Sequence, residues 1–521
     1  METDIIISKK NKYFLLLLLF ILNVIIRIPS IPHEKGVDSF FLHLLATSLS
    51  LYGEARWWIN TYSIFGFFPF SYPSATIFSL SGIEQVANVS MEHSILFYCI
   101  LLGLFSMFSM YLFAGVLYNN FLFKYIASMF FSLSQGVLLY TTWEVGERGV
   151  FFIFLPFFVY LLLKDKTSNL KKVFLSLILI VFLFATHHFA FFLFPLLMVY
   201  LYLNLIKACN IKRLSGQGIY IYIIMLMTVL ITPFFTGLFI EGGSRYAWII
   251  DAFTTTSRWL GPLIFFAFGG LIYILLKKEK SLGEWYILIS LLIVTPMLYS
   301  QIYGKFLILP LLVIFISIAV MNVLRLDLKR KKNLKIFLVF IILLTASFSS
   351  FFNHVRLSDS SSYWYMSDET YSGGIWAKNY APEGSHAIAA CGSGGIIDSL
   401  NSRRISAIAE GHFIVPSQGA ADLAYGLVGN NDIKYVNNSF LSKEFYFEGP
   451  YTSQEEQFLS GSTDWILEQE DINIKKIKEM IHNRNITYIL EGMHQGYNIM
   501  PSVYNTKNRI YDSGSFKIHM V

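Results

Sequence analysis

Long apolar runs separated by short polar segments fill most of residues 1–352. An α-helix needs about twenty apolar residues to cross the hydrocarbon layer of a membrane. The stretch 172–206 is too long for one crossing at about 1.5 Å per residue, so we expect a break at Thr186-His187-His188. The pattern predicts about eleven membrane spans, at 13–29, 94–118, 121–141, 149–163, 172–186, 188–206, 219–240, 259–276, 284–300, 303–324 and 336–352.

Residues 30–93 form a long loop between the first two predicted spans. It contains an apolar helix-like run at 39–51, followed by an aromatic segment that includes Trp57 and ends in Pro-Phe-Ser-Tyr-Pro at 69–73. Aromatic side chains concentrate where lipid meets water. We therefore expect this first external loop to lie in the membrane interface.

The pattern changes at residue 353, where polar residues become frequent and apolar runs become short. Helical and strand patterns then alternate, which is typical of a small α/β domain. The expected helices are 369–380 and 471–485, the expected strands are 386–391 and 486–490, and 509–520 reads as a hairpin. The sequence thus predicts a transmembrane domain at 1–352 and a second domain at 353–521.

Basic clusters between the spans indicate the orientation, because Lys and Arg collect in cytoplasmic loops. With the N-terminus in the cytoplasm, every large cluster falls on the cytoplasmic side: 164–172, 207–213, 277–280 and 325–335. We therefore predict a multi-pass cell-membrane protein whose N-terminus is cytoplasmic and whose C-terminal domain is extracytoplasmic.

Composition agrees with this class and excludes others. Of the 521 residues, 55% are hydrophobic and only 14% are charged, which argues against a soluble globular chain. The net charge is +6, but the basic residues cluster in short tracts between the apolar runs, where they indicate topology, so we do not expect nucleic-acid binding. The three cysteines fall in different predicted compartments, which disfavours disulfides and cysteine-based metal sites.

The first candidate site follows the first span, in the segment from Gly36 to His43. A carboxylate at Asp38 could bind a divalent cation or act as a general base towards an acceptor hydroxyl. Equally, Asp38 could simply cap the helix that follows. A histidine in a position such as that of His43 is more often an interfacial residue than a ligand.

The second candidate site is the short outer turn 143–149, which carries Glu144, Glu147 and Arg148 between two apolar spans. Its acids and its Arg could hold a metal or a phosphate. The alternative is a solvated turn with a local ion pair. Three charges in a turn at a membrane boundary favour the functional interpretation.

A third set consists of cations near outer span ends. Such charges suit a lipid-linked phosphate, although long basic side chains also reach the headgroup layer without any ligand. Taken singly, each of these residues is better explained by a side chain that reaches the headgroup layer than by phosphate binding. The set contains Arg245, Arg258, Lys305, His187 and His188.

Together these features resemble the GT-C glycosyltransferase superfamily. They are the acid in Asp-x-Phe-Phe-x-His at 38–43, the aromatic loop ending at 69–73, and the charged second outer loop at 143–149. The superfamily includes oligosaccharyltransferases, protein O-mannosyltransferases and aminoarabinose transferases. The archaeal oligosaccharyltransferase-like proteins are the most similar, over most of the chain.

The resemblance implies a role for each candidate residue. Asp38 is expected to be the catalytic base or a metal ligand, Glu144 and Glu147 are expected to support it, and Asp38 and Glu147 are the expected ligands of Mg²⁺ or Mn²⁺. Lipid-phosphate contacts are implied for Lys305, Arg258 and Arg148. Substrate contacts are implied for His43, Trp57, Tyr72, His187 and His188.

The sequence departs from the oligosaccharyltransferase pattern at two places. The first loop lacks a paired Asp-x-Asp, and the C-terminal domain lacks Trp-Trp-Asp-Tyr-Gly. Transfer of a single sugar therefore fits better than transfer of a whole oligosaccharide to asparagine. In addition, Lys305 stands where relatives often have Arg, and Lys presents one point charge instead of a fork.

We therefore expect a membrane glycosyltransferase that takes a sugar from a polyprenyl-phosphate donor, such as a dolichyl phosphate. The acceptor would be a lipid, glycan or protein at the outer face. Two alternatives stay open: a transporter or flippase, which would place charges nearer mid-membrane, and a non-catalytic glycan-binding protein of the same fold.

Overall fold

The structure is a computed structural model of the 521-residue chain. It describes residues 7–28, 31–36, 39, 42–43, 46–47, 49–50, 73–164, 169–208, 220, 223–224, 226–228, 231, 247–295, 304–325, 340, 368–380, 386–389, 406–407, 414–415, 486–491, 508–514 and 516–520.

Most of each predicted apolar run folds as a helix where the structure describes it. In chain order these are α1 (Lys9–Ile25), α2 (Ala75–Ala87), α3 (Met91–Leu117), α4 (Phe121–Ser132), α5 (Gln135–Leu138), α6 (Glu147–Leu163), α7 (Asn169–Thr186), α8 (Leu193–Ala208), α9 (Ala247–Leu260), α10 (Ile264–Leu276), α11 (Leu282–Val294) and α12 (Gly304–Arg325). Short 3₁₀ turns at His188–Phe192 and Gly261–Leu263 join α7 to α8 and α9 to α10.

Four helical segments in the described part are long and apolar enough to cross a membrane. They are Met91–Leu117, Phe189–Lys207, Ile249–Leu276 and Phe306–Arg325. Each overlaps a predicted span, although the third begins ten residues earlier than expected because α9 precedes the apolar run. The predicted total of about eleven spans and the orientation of the termini stay predictions.

Two predicted helix boundaries were tested by the structure with opposite outcomes. The expected break at 186–188 is confirmed, because α7 ends at Thr186 and a 3₁₀ turn follows. The expected continuous span 121–141 is wrong, because the helix stops at Ser132 and a short helix, α5, follows. The hydroxyl of Ser134 donates to the Phe131 carbonyl oxygen (2.7 Å), which satisfies a carbonyl at this helix end.

Contacts between helix ends show which loops share one end of the helix bundle. At one end, Lys12 lies over the Phe121 ring at 5.5 Å and Lys277 pairs with Glu284 at 2.7 Å. At the other end, residues 33–36 meet Glu92 and the turn 143–147. We call this second end, defined by residues 33–36, Glu92 and 143–147, the acidic end.

The described C-terminal elements include the predicted helix 369–380, both predicted strands and the predicted hairpin, together with two short strands that the sequence did not predict. They are α13 (Asp368–Tyr380), β1 (His386–Ala389), β2 (Ser406–Ala407), β3 (Ile414–Val415), β4 (Ile486–Glu491), β5 (Asn508–Asp512) and β6 (Lys517–Met520). Four strands form one sheet in the order β1-β4-β6-β5, with β1 parallel to β4 and the other pairs antiparallel. The predicted hairpin is the β5–β6 pair.

Helix α13 packs on this sheet, because the Trp376 and Tyr511 rings lie 5.4 Å apart. The α/β character is therefore confirmed for the described part. The predicted helix 471–485 lies outside the described residues, and the domain boundary near residue 353 stays a prediction.

Candidate functional site

Four carboxylates lie at the acidic end of the bundle, and three of them are almost inaccessible. Glu34 is 0%, Glu92 3% and Glu147 5% exposed, while Glu144 is half-buried. They come from the segment after α1, the first turn of α3, the turn before α6 and, for Glu147, the first residue of α6. Buried carboxylates are expensive unless they are paired, so their partners define the site.

Lys35 neutralises Glu144. Its Nζ lies 2.9 Å from Glu144 Oε2, and Lys35 itself is only 2% exposed. The backbone N–H of Lys35 also donates to the carbonyl oxygen of Trp143 (3.2 Å), which fixes the two segments in register. Trp143 holds a left-handed backbone (φ +52), a conformation uncommon for non-glycine residues and frequent at functional sites.

Gly36 permits this close approach. It has φ +94, and a Cβ placed there would lie 2.5 to 2.8 Å from the Glu144 carboxylate and its Cγ. Only glycine adopts such a backbone without strain and also leaves the space that Glu144 fills.

Glu34 is paired with His43, which is also buried. Glu34 Oε1 accepts a short hydrogen bond from His43 Nδ1, and Glu34 Oε2 accepts from the Ser39 hydroxyl (3.2 Å). Ser39 Oγ in turn accepts from the backbone N–H of Val145 (3.3 Å). Glu34 therefore joins the first external loop to the turn that carries Glu144.

The pKa of His43 is shifted upward. Burial alone would lower it, but the attraction of Glu34, supported by Glu92 and Glu84, outweighs burial and raises it above its ordinary value. The raised pKa favours the charged form of His43 beside the Glu34 carboxylate.

The structure brings several predicted site residues together. Glu144, Glu147 and His43 all lie at the acidic end. Asp38 lies outside the described residues, but Gly36 and Ser39 on either side of it both contact the turn that carries Glu144. Trp57 and Tyr72 lie outside the described residues.

Two of the predicted phosphate-binding cations each precede an aromatic residue in the sequence: Arg258 precedes Trp259, and Lys305 precedes Phe306. Trp259 stacks on Phe306 at 4.5 Å, and Phe306 packs edge-on against Tyr140 at 5.5 Å. Arg258, which is exposed, and Lys305 thus sit next in sequence to two rings in contact. The side chain of Lys305 lies outside the described part.

The contacts of Trp259, Phe306 and Tyr140 extend to the second outer loop, because Tyr140 packs against Gly149 in the first turn of α6. Arg148 is half-buried beside Gly149. The aromatic residues next to Arg258 and Lys305 in the sequence are therefore connected, through Tyr140, to the first turn of α6.

His187 occupies the break between α7 and α8. Its Nδ1 accepts the backbone N–H of Phe189 (3.1 Å), so the side chain caps the 3₁₀ turn. Phe189 packs against Phe151 in the first turns of α6, which places this break near Glu147. The side chain of His188 lies outside the described part, and substrate contact by either histidine stays a prediction.

Sequence reasoning missed His33, Glu34, Lys35 and Glu92. Three consecutive polar residues directly after an apolar span were a usable signal, because charges at a membrane boundary are rarely idle. Glu92 opens α3, where an acid is expected for helix capping alone, so the sequence offered no signal for its contacts.

Arg27 was also missed, although a polar residue inside the predicted span 13–29 is itself a functional signal. Its guanidinium is fully buried and donates to Asn23 (carbonyl and side-chain oxygens, 2.9 Å each), Thr141 Oγ1 (3.0 Å) and the Ser132 carbonyl oxygen (2.7 Å). Asn23 and Ser132 lie in the last turns of α1 and α4, so Arg27 caps both helix C-termini.

The donor chemistry for a divalent cation can be tested against these residues. Carboxylate oxygens are the ligands that Mg²⁺ and Mn²⁺ prefer, and Glu147 offers them. Glu144 is already neutralised by Lys35. The described side chains contain no group of three or more His, Cys, Asp or Glu suited to a metal, so a cation site would depend on Asp38.

No protein-family model and no curated protein matches this sequence. Solved structures do. The Archaeoglobus fulgidus oligosaccharyltransferase tethered to an acceptor peptide with the NVT sequon has a TM-score of 0.59 at 10% identity, covering 99% of this chain and 74% of that one.

Two further structures are similar. The oligosaccharyltransferase AglB from Archaeoglobus fulgidus, in complex with an inhibitory peptide and a dolichol-phosphate, has a TM-score of 0.56 at 10% identity, covering 93% of this chain and 70% of that one. Arabinofuranosyltransferase AftD from Mycobacteria, mutant R1389S, has a TM-score of 0.55 at 10% identity, covering 100% of this chain and 42% of that one.

At this identity a structural likeness establishes the fold alone. Together with the apolar helices it identifies a helical membrane protein, and the expected resemblance is confirmed at this level. The chain therefore has the fold that the Archaeoglobus fulgidus oligosaccharyltransferase and the mycobacterial arabinofuranosyltransferase share with it.

Proposed function

We propose that this protein is a membrane glycosyltransferase that moves a sugar from a polyprenyl-phosphate donor to a lipid, glycan or protein acceptor at the outer membrane face. The observation that carries the proposal is the meeting of the two predicted acidic loops at one end of the bundle. Lys35–Glu144 and Ser39–Val145 join them across more than a hundred residues of sequence.

An apolar cavity supports a lipid-linked donor. It has a volume of about 230 Å³ and lies between α9, α10, α11 and α12. Its lining includes Phe253 and Phe268, which are 37% and 51% exposed, so the cavity is accessible from the surface of the bundle. Thr256 also lines it, two residues before Arg258. A prenyl chain in the cavity would bring its phosphate towards Arg258 and the start of α12.

The neighbours are consistent with this chemistry. One is complexed with a dolichol-phosphate and another is tethered to an acceptor peptide. For the present chain the carrier lipid and the acceptor belong to the proposal.

The reaction would be a single displacement with inversion. The Asp38 carboxylate takes the proton of the acceptor hydroxyl, whose oxygen attacks the anomeric carbon while the bond from that carbon to the phosphate oxygen breaks. Lys305, Arg258 and Arg148 stabilise the negative charge that grows on the leaving polyprenyl phosphate. Lys35 holds Glu144 in place, and Glu144 and Glu147 support Asp38.

Asp38→Asn tests this proposal. The variant keeps the shape of the side chain but cannot take the proton, so transfer from a labelled polyprenyl-phosphate sugar should fall by at least about 10²-fold. The assay uses membranes with equal amounts of each protein. Glu279→Gln, an exposed acid at the opposite end of the bundle, serves as the control and should transfer normally. Equal transfer by Asp38→Asn and wild type would end this assignment.

A divalent cation is the remaining part of the proposal, with Asp38 and Glu147 as its ligands. Bound there, Mg²⁺ or Mn²⁺ would supply positive charge to the donor phosphate. EDTA should then lower transfer and either metal should restore it, whereas undiminished transfer in EDTA would leave the charge stabilisation to the protein's own cations.

A further inference from the structure

His33 connects three elements that are far apart in sequence. Its Nδ1 lies 3.0 Å from Glu92 Oε1 at the start of α3, and its Nε2 lies 3.1 Å from Asp368 Oδ1 at the start of α13. Its ring also stacks on Tyr371 of α13, with centroids 3.9 Å apart and planes inclined by 14°. Among the described residues, His33 thus joins α13, the helix at 368–380, to the acidic end.

The number of N–H groups on the His33 ring decides whether both hydrogen bonds can form at once. Ionised carboxylates only accept hydrogen bonds, and a neutral imidazole carries just one N–H. Both ring nitrogens of His33 face carboxylate oxygens, so both bonds form only when the ring is an imidazolium. Loss of one proton leaves a ring lone pair facing a carboxylate, which is repulsive.

The charges around His33 favour this state. Glu92 from α3 and Asp368 from α13 face the ring directly, and Glu34 and Lys35 follow it in its own segment. Partial burial lowers the pKa of His33, but the hydrogen bonds and charges of Glu92 and Asp368 outweigh it and raise the pKa above the ordinary value.

His33 is also coupled to the buried acids. Glu92 Oε1, which bonds His33, accepts the backbone N–H of Glu34 as well (3.0 Å), and the Glu92 carbonyl oxygen accepts from Trp143 Nε1 (3.1 Å). A shift of Glu92 when its bond to His33 is lost would therefore also disturb its hydrogen bonds with Glu34 and with Trp143, the residue before Glu144.

We infer that His33 is a protonated positioning residue that ties α13 to the acidic end, so that the C-terminal helix is released as the pH rises. Because the folded-state pKa is raised, the docking is complete below about pH 6.5 and weakens as the pH passes through the folded value. Its link to sugar transfer rests on the proposed function, whereas the docking itself does not.

Hydrogen exchange of the α13 amides tests the docking. With the full-length protein in lipid nanodiscs, exchange corrected for its intrinsic pH dependence is followed from pH 5.5 to 8.5. Above the shifted pKa, protection of 368–380 in wild type should fall by about tenfold per pH unit. His33→Gln should exchange faster and without this pH dependence.

Two further variants sharpen the test. In Asp368→Asn the neutral amide can either accept from a ring N–H of His33 or donate to a ring lone pair. Protection of the α13 amides should therefore persist while its pH dependence disappears. His93→Gln is the matched control, because His93 lies one residue from Glu92 but bonds Ser90, and it should behave like wild type. A wild-type pH profile in His33→Gln or in Asp368→Asn overturns the inference.

Sugar transfer measured over the same pH range separates the two proposals. We expect transfer to fall as the docking weakens, with a flattened pH profile in His33→Gln. A protein that docks α13 in this pH-dependent way but transfers no sugar would refute the proposed function and leave the role of His33 intact.

Discussion

Gly36→Ala is expected to lower sugar transfer by at least about 10²-fold, because it displaces a carboxylate at the centre of the acidic end. A Cβ at this position meets Glu144 Cγ at 2.5 Å and its carboxylate carbon at 2.6 Å. Glu144 cannot simply withdraw, since Lys35 holds its Oε2 at 2.9 Å. The added methyl group must therefore separate the two loops or break the ion pair.

Backbone strain adds to this overlap. Gly36 has φ +94, and an L-residue in a left-handed conformation is less stable by about 1–2 kcal/mol. Gly514→Ala measures that strain alone, because Gly514 has φ +97 and nothing lies within 4 Å of its added Cβ. Gly82→Ala, on α2 with nothing within 4 Å, measures a substitution with neither effect.

The measurement is transfer by the three variants at equal amounts of folded protein, together with their unfolding midpoints. Gly514→Ala should lose some stability and keep its transfer rate, whereas Gly36→Ala should lose transfer far beyond its loss of stability. If Gly36→Ala and Gly514→Ala transferred equally well, the close packing of Gly36 on Glu144 would have no functional weight.

Arg27→Met is expected to destabilise the protein by on the order of 3 kcal/mol, because it leaves several buried hydrogen-bond acceptors without their donor. Methionine fills similar space but donates no hydrogen bond. The carbonyl oxygens of Asn23 and Ser132, at the ends of α1 and α4, would each lose a buried donor, at about 1–3 kcal/mol per unsatisfied group. Arg27→Lys keeps the charge but not the fork, so it should rescue only part of the loss.

A glycine on α3 provides an independent test of the same network. The Arg27 side chain lies against Gly103, and a Cβ there would overlap the guanidinium. Gly103→Ala should therefore destabilise the protein about as much as Arg27→Met. Gly115→Ala on the same helix meets only the flexible Lys124 side chain, at 3.0 Å, and should be nearly neutral. The thermal midpoints of these variants in nanodiscs decide the matter, and equal midpoints for the two glycine variants would contradict the proposed cap.

Local patterns determined the helices and strands of this protein. A long apolar run favours a helix in a membrane, because no water is present to satisfy the backbone. The break at His187 and the hairpin ending at Met520 followed from local signals in the same way. The early end of α4 at Ser132 did not, since a distant Arg27 satisfies its terminal carbonyl.

The sequence also indicated which loops carry chemistry. Charges are costly beside lipid, so the turn with Glu144 and Glu147 stood out from its apolar surroundings. Asp38 stood out in the same way, and its immediate neighbours contact that turn. The resemblance to the GT-C superfamily rested on these loops, and the fold agrees with it.

The pairing of charges was decided by the tertiary structure alone. Lys35 meets Glu144 across 109 residues, His33 meets Glu92 across 59 and Asp368 across 335. Contacts within a helix or a strand repeat with a short period and so leave a trace in the sequence. An ion pair between distant segments has no such period, because it depends on where whole helices end in space.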